Sequence, residues 1–182
     1  MFRLAKLSLS GNGFADFEEG DGSRGSLLDV AVRAALPEDV PAIISVDGLS
    51  GRGQGNPSAL ESAVTDPDRH IVVAESGGSL VGWGKTYYWD YADDPAPAGH
   101  YLGGVTVLPA WRRSGIGTAL TEVRLEWIWQ RSADAWYVVN ARNLTSIALH
   151  SKWNFVEVAR ASRFHTTSFI GGAGVLMRAR LL

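Results

Sequence analysis

Val105-Thr-Val-Leu-Pro-Ala-Trp-Arg112-Arg-Ser-Gly115-Ile-Gly117-Thr-Ala-Leu120 carries an apolar, β-branched strand into a glycine-containing turn and from there directly into a helix. Backbone N–H groups converge in such a turn, and glycines let a ligand come close. The helix start adds four unpaired donors and about half a positive charge, so a junction of this kind binds anions. Arg112 and Arg113 add fork-shaped donors suited to phosphate. On these residues alone, an anion-binding loop and a tight strand-to-helix turn with solvent-facing arginines are both open.

Working outward from that turn, His100 to Leu108 is the strand that feeds it, stopped by Pro109, and Gly117 to Gln130 is the helix it opens. Upstream, Leu27 to Arg33 reads as a strand. Pro37-Glu38-Asp39 starts a helix with Pro and acids in its first turn, running to about Asp47 and stopped by Gly48. A second, short helix begins at a Ser58 cap, with Glu61 at capping-box spacing, and ends at Asp66-Pro67. His70 to Glu75 and Leu80 to Trp89 form a hairpin around Ser76-Gly-Gly-Ser79. Downstream come a strand at Ala135–Val139, a helix at Thr145–Trp153, and strands at Phe155–Val158 and Val175–Leu181. Antiparallel hairpins beside strand–helix–strand units predict a mixed α/β (α+β) sheet in a single domain over residues 28–182. Residues 1–27, rich in Gly, Ser and acids from Ser10 to Ser26, read as an N-terminal extension or linker.

A chain of 182 residues has room for one domain. Seventeen Lys and Arg against nineteen Asp and Glu leave a net charge of −2, with no basic footprint for nucleic acid. The absence of cysteine removes disulfides, thiolate metal sites and a Cys nucleophile, and His70, His100, His150 and His165 lie too far apart for a helical zinc motif, so no metal is expected. No apolar run is long enough to span a bilayer. The first ten residues lack the unbroken apolar core and cleavage site of a signal peptide, which predicts a cytoplasmic protein. Gly78-Ser-Leu-Val-Gly-Trp-Gly84-Lys85-Thr86 nearly spells a nucleotide P-loop. It has one residue too many between its first Gly and Gly-Lys-Thr, and it runs into strand rather than helix. Gly51-Arg-Gly-Gln-Gly55 lacks a preceding strand and reads as a substrate loop or a plain turn.

Arg112-Arg-Ser-Gly115-Ile-Gly117 resembles the acyl-CoA signature of the GCN5-related N-acetyltransferases, Arg/Gln-x-x-Gly-x-Gly/Ala after a strand. Asn143-Leu-Thr-Ser146-Ile-Ala-Leu149-His150-Ser-Lys-Trp-Asn154-Phe155 resembles that family's next helix, with His150 where Tyr is commonest and Asn154 in place of Gly. Asn tolerates the left-handed conformation such a turn uses. The likeness spans about Val30 to Leu181. It implies a mostly antiparallel central sheet flanked by helices, acetyl-CoA as cosubstrate, and transfer of its acetyl group to a primary amine.

By the same resemblance, the backbone of Arg113, Ser114, Gly115, Ile116 and Gly117 receives the CoA pyrophosphate, with Arg112 either on CoA or in solvent. Backbone groups of Val105 and Val107 pair with the pantetheine arm as an added strand, and Asn143 and Ser146 face its end. His150, at the family's Tyr position, is the candidate acid for the leaving thiolate if its imidazole is nearly unperturbed. Glu75 and His100 are candidate bases. Asp90 and Asp93, beside the aromatic run Tyr87–Tyr91, would suit a cationic amine, and the stretch from Val139 to Gly174 is loosely similar to aminoglycoside-type N-acetyltransferases. The expected partner is thus a small-molecule amine, with no nucleic acid and no membrane, and a homodimer as among relatives. Protein N-acetylation and a non-catalytic acyl-CoA sensor stand as alternatives.

Overall fold

The computed structural model describes residues 29–53, 55–170 and 173–181. The extension expected over residues 1–27 therefore lies outside the described residues, as do the start of the first expected strand, Gln54, Gly171 and Gly172. In chain order the elements are β1 (Ala31–Ala34), a 3-10 turn at Pro37–Asp39, α1 (Val40–Leu49), α2 (Pro57–Thr65), β2 (Ile71–Ser76), β3 (Ser79–Trp89) and β4 (Gly99–Val107). After a second 3-10 turn at Pro109–Trp111 come α3 (Ile116–Trp129), β5 (Asp134–Asn140), α4 (Leu144–His150), β6 (Val156–Ala161), β7 (Arg163–Phe164), β8 (Thr167–Ser168) and β9 (Gly174–Arg180).

Seven strands form one sheet in the order β1-β2-β3-β4-β5-β9-β6, with β7-β8 as a separate small hairpin. Every neighbouring pair is antiparallel except β4 and β5. This is the mixed, mostly antiparallel sheet that the resemblance implies. Because side chains alternate along a strand, β2 serves two cores at once. Ile71 and Val73 pack with Ile43, Val46 and Ala63 of α1 and α2, whereas Val72 and Ala74 pack with Ile116 and Leu120 of α3. The end of α3 continues into a third cluster, in which Leu125 and Ile128 meet Tyr137, Val139 and Phe155. Among the described residues no helix is long and apolar enough to cross a membrane.

Local chemistry moved several boundaries. Gly48 does not stop α1, which continues to Leu49. The cap of α2 is Asn56, whose side chain accepts from the Ala59 N–H at 3.3 Å, so Pro57 takes the first helical position and Ser58 lies inside. The last helix stops at His150 and tightens into a 3-10 turn at Ser151–Trp153, closed by Asn154 at φ 56°, the left-handed role expected of it. The near-P-loop is the β2–β3 hairpin turn followed by β3.

The feature that positions the site is the seam between β4 and β5. The two strands pair at one point only, Tyr101 with Trp136. Beyond it β4 leaves β5 and keeps only β3 as a partner, Gly84 beside Val105 and Gly82 beside Val107. One edge of β4 is thereby open just before the glycine turn.

Candidate active site

At the turn itself, Gly115 caps α3 with φ 93°, a conformation that costs a side chain but not glycine. Arg113 also has positive φ, 65°. Ser114 Oγ donates to the Trp111 carbonyl at 2.6 Å and pins the turn from inside. The first N–H groups of α3 have no intrahelical partners. A Cβ added to Gly117 would meet only Leu149, at an ordinary 3.8 Å, so the space above it is not claimed by packing. Lys152, which no sequence motif singles out, reaches from the end of α4 to Thr118 Oγ1 at 3.0 Å and adds a cation beside the turn.

Along the open edge, the carbonyls expected to meet a pantetheine arm are held by side chains. Arg52 Nη2 donates to Val105 O at 2.9 Å, and Arg112 Nε donates to Val107 O at 3.3 Å. Arg52 comes from the loop between α1 and α2. Burial pushes its guanidinium below its usual range and Arg112 adds to that, while the Asp47 carboxylate opposes both. Asp47 is itself tied to this edge: its Oδ1 accepts from Trp83 Nε1 at 2.9 Å and from Thr106 Oγ1, between Val105 and Val107, at 2.8 Å.

On the β5 side, Asn143 is the cap of α4, its Oδ1 accepting from the Ser146 N–H at 3.0 Å. His150 is buried and stacks on Tyr137, ring centroids 4.2 Å apart. Its Nδ1 lies 2.8 Å from the Ser146 carbonyl, which can only accept, so Nδ1 carries the proton and Nε2 is a bare lone pair. Burial lowers the imidazole to about 4, with Arg124 adding to it. The premise of a nearly unperturbed His150, partly protonated near neutrality, is thus corrected: the ring is neutral near pH 7. Among the described residues, His150 Nε2 and the Tyr137 hydroxyl are both buried without a hydrogen-bond partner, and burial pushes the Tyr137 hydroxyl up to about 12.

Neither candidate base is at the open part of the seam. Glu75 lies on β2, separated from β4 by β3, and its carboxylate accepts from Arg33 at 3.0 and 3.2 Å in a network that Asp39 completes. His100 is buried at the other end of β4, edge-on to Trp127 and tilted against Tyr88. It lies five positions from Val105, about 17 Å of strand. Asp90 and Asp93 lie in the loop past Trp89, equally distant along β3, with Asp90 exposed and Asp93 paired with Arg163 at 3.3 Å.

The structure instead sets the Asp47 carboxylate beside Arg52 and, with Lys85, on the wall of one cavity between α1, α2 and β3, while Arg124 lies on the α3 side of the sheet. Arg124, on α3, is fully buried, and burial pushes it down to about 9, so it stays charged at neutral pH. It donates to Leu120 O, Lys85 O, Gly103 O and Thr121 Oγ1. Its one sequence signal is Gly84, where a Cβ would sit 3.0 Å from the guanidinium carbon.

Several solved structures share this architecture. One is the ribosomal-protein-S18-alanine N-acetyltransferase of Escherichia coli, 19% identical, with TM-score 0.65, covering 83% of this chain and 93% of that one. The ribosomal-protein-alanine N-acetyltransferase of Brucella melitensis is 22% identical, with TM-score 0.66 over 83% and 99% of the two chains. The phosphinothricin acetyltransferase of Sinorhizobium meliloti in complex with acetyl-CoA is 18% identical, with TM-score 0.66 over 84% and 89%. Curated protein sequences give no significant match. The model of the acetyltransferase (GNAT) family matches residues 40–155, from the start of α1 through the glycine turn to Phe155, and the chain belongs to that family of acetyltransferases.

Proposed function

We propose that the protein binds acetyl-CoA along the open edge of β4 and transfers its acetyl group to a primary amine of a small molecule. The observation that carries this is the opening of the β4–β5 seam directly before the left-handed glycine cap of α3. Acetyl-CoA supplies an activated acyl carbon, which leaves its sulfur as the amine nitrogen forms the new C–N bond. The backbone N–H groups from Arg113 to Gly117 hold the pyrophosphate, with Lys152 and Arg112 beside them. Asp47, oriented by Trp83 and Thr106, receives the proton that the amine nitrogen gives up, directly or through a water. The Tyr137 hydroxyl retains its proton at neutral pH and donates to the departing sulfur, a step closed to a His150 whose Nε2 can only accept.

The Sinorhizobium protein is named for phosphinothricin, whereas the Escherichia and Brucella proteins are named for ribosomal-protein alanine, so transfer to a protein amine is the second reading. A polycationic, aminoglycoside-like acceptor gains no support from Asp90 and Asp93, which follow Trp89 at the opposite end of β3 from the open part of the seam. The binding test uses Gly117→Leu, whose Cβ would meet Leu149 at an ordinary 3.8 Å and whose added bulk is set against a ligand approaching the turn. Wild type should gain roughly 2.7 kcal/mol of stability at about 100 times the dissociation constant of acetyl-CoA. The variant should keep its own unfolding transition and lose that gain. A retained gain would falsify the site, and absence of thiol release with every amine would reduce the protein to an acyl-CoA binder.

A further inference from the structure

Gly51-Arg52-Gly53, in the loop between α1 and α2, puts its arginine where a ligand is expected. The backbone is tied to the end of α1: the Gly51 N–H donates to Gly48 O at 3.1 Å and the Arg52 N–H to Asp47 O at 2.9 Å. A Cβ on Gly51 or on Gly53 would meet nothing within 4 Å, and Gly51 takes φ 75°. The root of the arginine is thus fixed, while the chain on either side of it stands clear of other atoms. From there the side chain crosses to β4. Nη2 donates to Val105 O at 2.9 Å, and a Cβ on Gly104 would lie 3.2 Å from Nη1, so the guanidinium rests against the stretch of β4 that has lost β5. The next carbonyl on that edge, Val107 O, has Arg112 Nε at 3.3 Å and Ser50 Oγ at 3.5 Å. Carbonyls two residues apart along a strand point the same way. Side-chain donors therefore sit on both acceptors that an added strand would use.

The hold on Val105 O is exchangeable. A guanidinium that leaves water for a neutral carbonyl gives up hydration that one hydrogen bond only partly restores. Burial accordingly pushes Arg52 below its usual range, and only the Asp47 carboxylate opposes it. The amide N–H of a pantetheine arm is neutral, bonds the same oxygen at a smaller desolvation cost, and lets the cation return to water. A carbonyl oxygen can accept twice. A planar guanidinium with its nitrogen 2.9 Å from the oxygen nevertheless lies inside the strand spacing of about 4.8 Å through which the arm's donor must come.

We propose that Arg52 is a placeholder for the pantetheine arm: it holds Val105 O until acetyl-CoA enters, yields it to an amide N–H of the arm, and takes it back as spent CoA leaves. The inference rests on the acetyl-CoA reading of the same edge and adds how occupancy of that edge is regulated. Acyl-CoA binds against Arg52, which lowers its affinity and hastens loss of the product.

Arg52→Met keeps the reach of the side chain and removes its donors. Calorimetry on the full chain measures acetyl-CoA, CoA and the nucleotide half of CoA, which ends at the pyrophosphate and has no arm. The variant should bind acetyl-CoA and CoA about threefold to tenfold more tightly than wild type, the worth of one hydrogen bond, and the nucleotide half within about twofold. The gain should appear as slower release of CoA, followed by stopped flow. In a crystal structure of the wild-type protein with CoA, a readout independent of any variant, Arg52 Nη2 should stand beyond hydrogen-bond distance of Val105 O and an amide nitrogen of the arm within it. Arg52 still bonded to Val105 O in that complex overturns the proposal. Equal or weaker binding of acetyl-CoA by the variant does the same, as does a gain shared by the nucleotide half, and weaker binding of all three ligands would assign Arg52 to the phosphates. These outcomes leave the acetyl-CoA reading standing. Wild type that binds no acetyl-CoA sinks that reading, and the placeholder with it.

Discussion

The imidazole of His150 shows how burial decides a side chain's chemistry where position alone does not. It occupies the helix position at which the family's commonest residue is a tyrosine, yet 5% exposure and the Ser146 carbonyl leave it neutral, with its proton on the wrong nitrogen for donation. The hydroxyl that can donate belongs to Tyr137, stacked on it from β5. Two substitutions divide the roles. Tyr137→Phe keeps the stack and removes the donor, so kcat at saturating substrates should fall by roughly 10² to 10⁴, the usual worth of general acid catalysis, with little change in KM for acetyl-CoA. His150→Phe also keeps the stack and should cost less than about tenfold. A large loss in His150→Phe with near-normal Tyr137→Phe would return the proton to the imidazole.

Helix α3 does more than present its N-terminus. Through Arg124 it grips the irregular stretch of β3 and β4, one guanidinium nitrogen donating to Lys85 O at 2.9 Å and to Gly103 O at 3.1 Å. The pairing of these strands shifts register between Gly84 and Thr86, and Arg124 supplies the donors that the ladder omits there. Arg124→Met fits the volume but leaves two buried carbonyls unpaired, which costs roughly 1–3 kcal/mol each. Its urea midpoint should drop accordingly. An unchanged midpoint would show that water replaces the guanidinium. Alternation and turn chemistry made β2, β3, β4, α3 and the glycine turn legible in the sequence, because each is written in neighbouring residues. The two-residue strands β7 and β8 are too short to show a period. Asp47, Arg52 and Lys85 were illegible as a group, since they converge across 38 positions of sequence through the register of β3 on β4 and the angle of the α1–α2 loop. Glu75 and His100 stand near strand ends as expected, Glu75 at the end of β2 and His100 at the start of β4.

All four histidines of the chain are held below their ordinary value of 6.5, and in each case desolvation by burial is the first cause. Arginines deepen the effect: Arg131 and Arg124 at His70, Arg131 at His100, Arg124 at His150, Arg163 at His165. The folded molecule therefore refuses protons that the unfolded chain accepts. A group lowered on folding contributes stability that is complete above its unfolded value and is lost as pH falls toward its folded value. The window here opens at about 6.5 and, for His150, extends down to about 4. That residue alone accounts for on the order of 3 kcal/mol at the acid end, a large part of the margin of an ordinary domain. Below the window Asp39 continues the same trend, because the Arg33 guanidinium holds its carboxyl low and that contribution fades once the pH drops under about 3.8. The urea midpoint should thus be flat from about pH 8 to 7 and then fall steeply between about 6.5 and 4.5. In His150→Phe the fall should be shallower, since the substituted ring has no proton to refuse. A midpoint that stays level down to pH 4.5 would mean that the histidines protonate in place, with open routes to water that their burial denies.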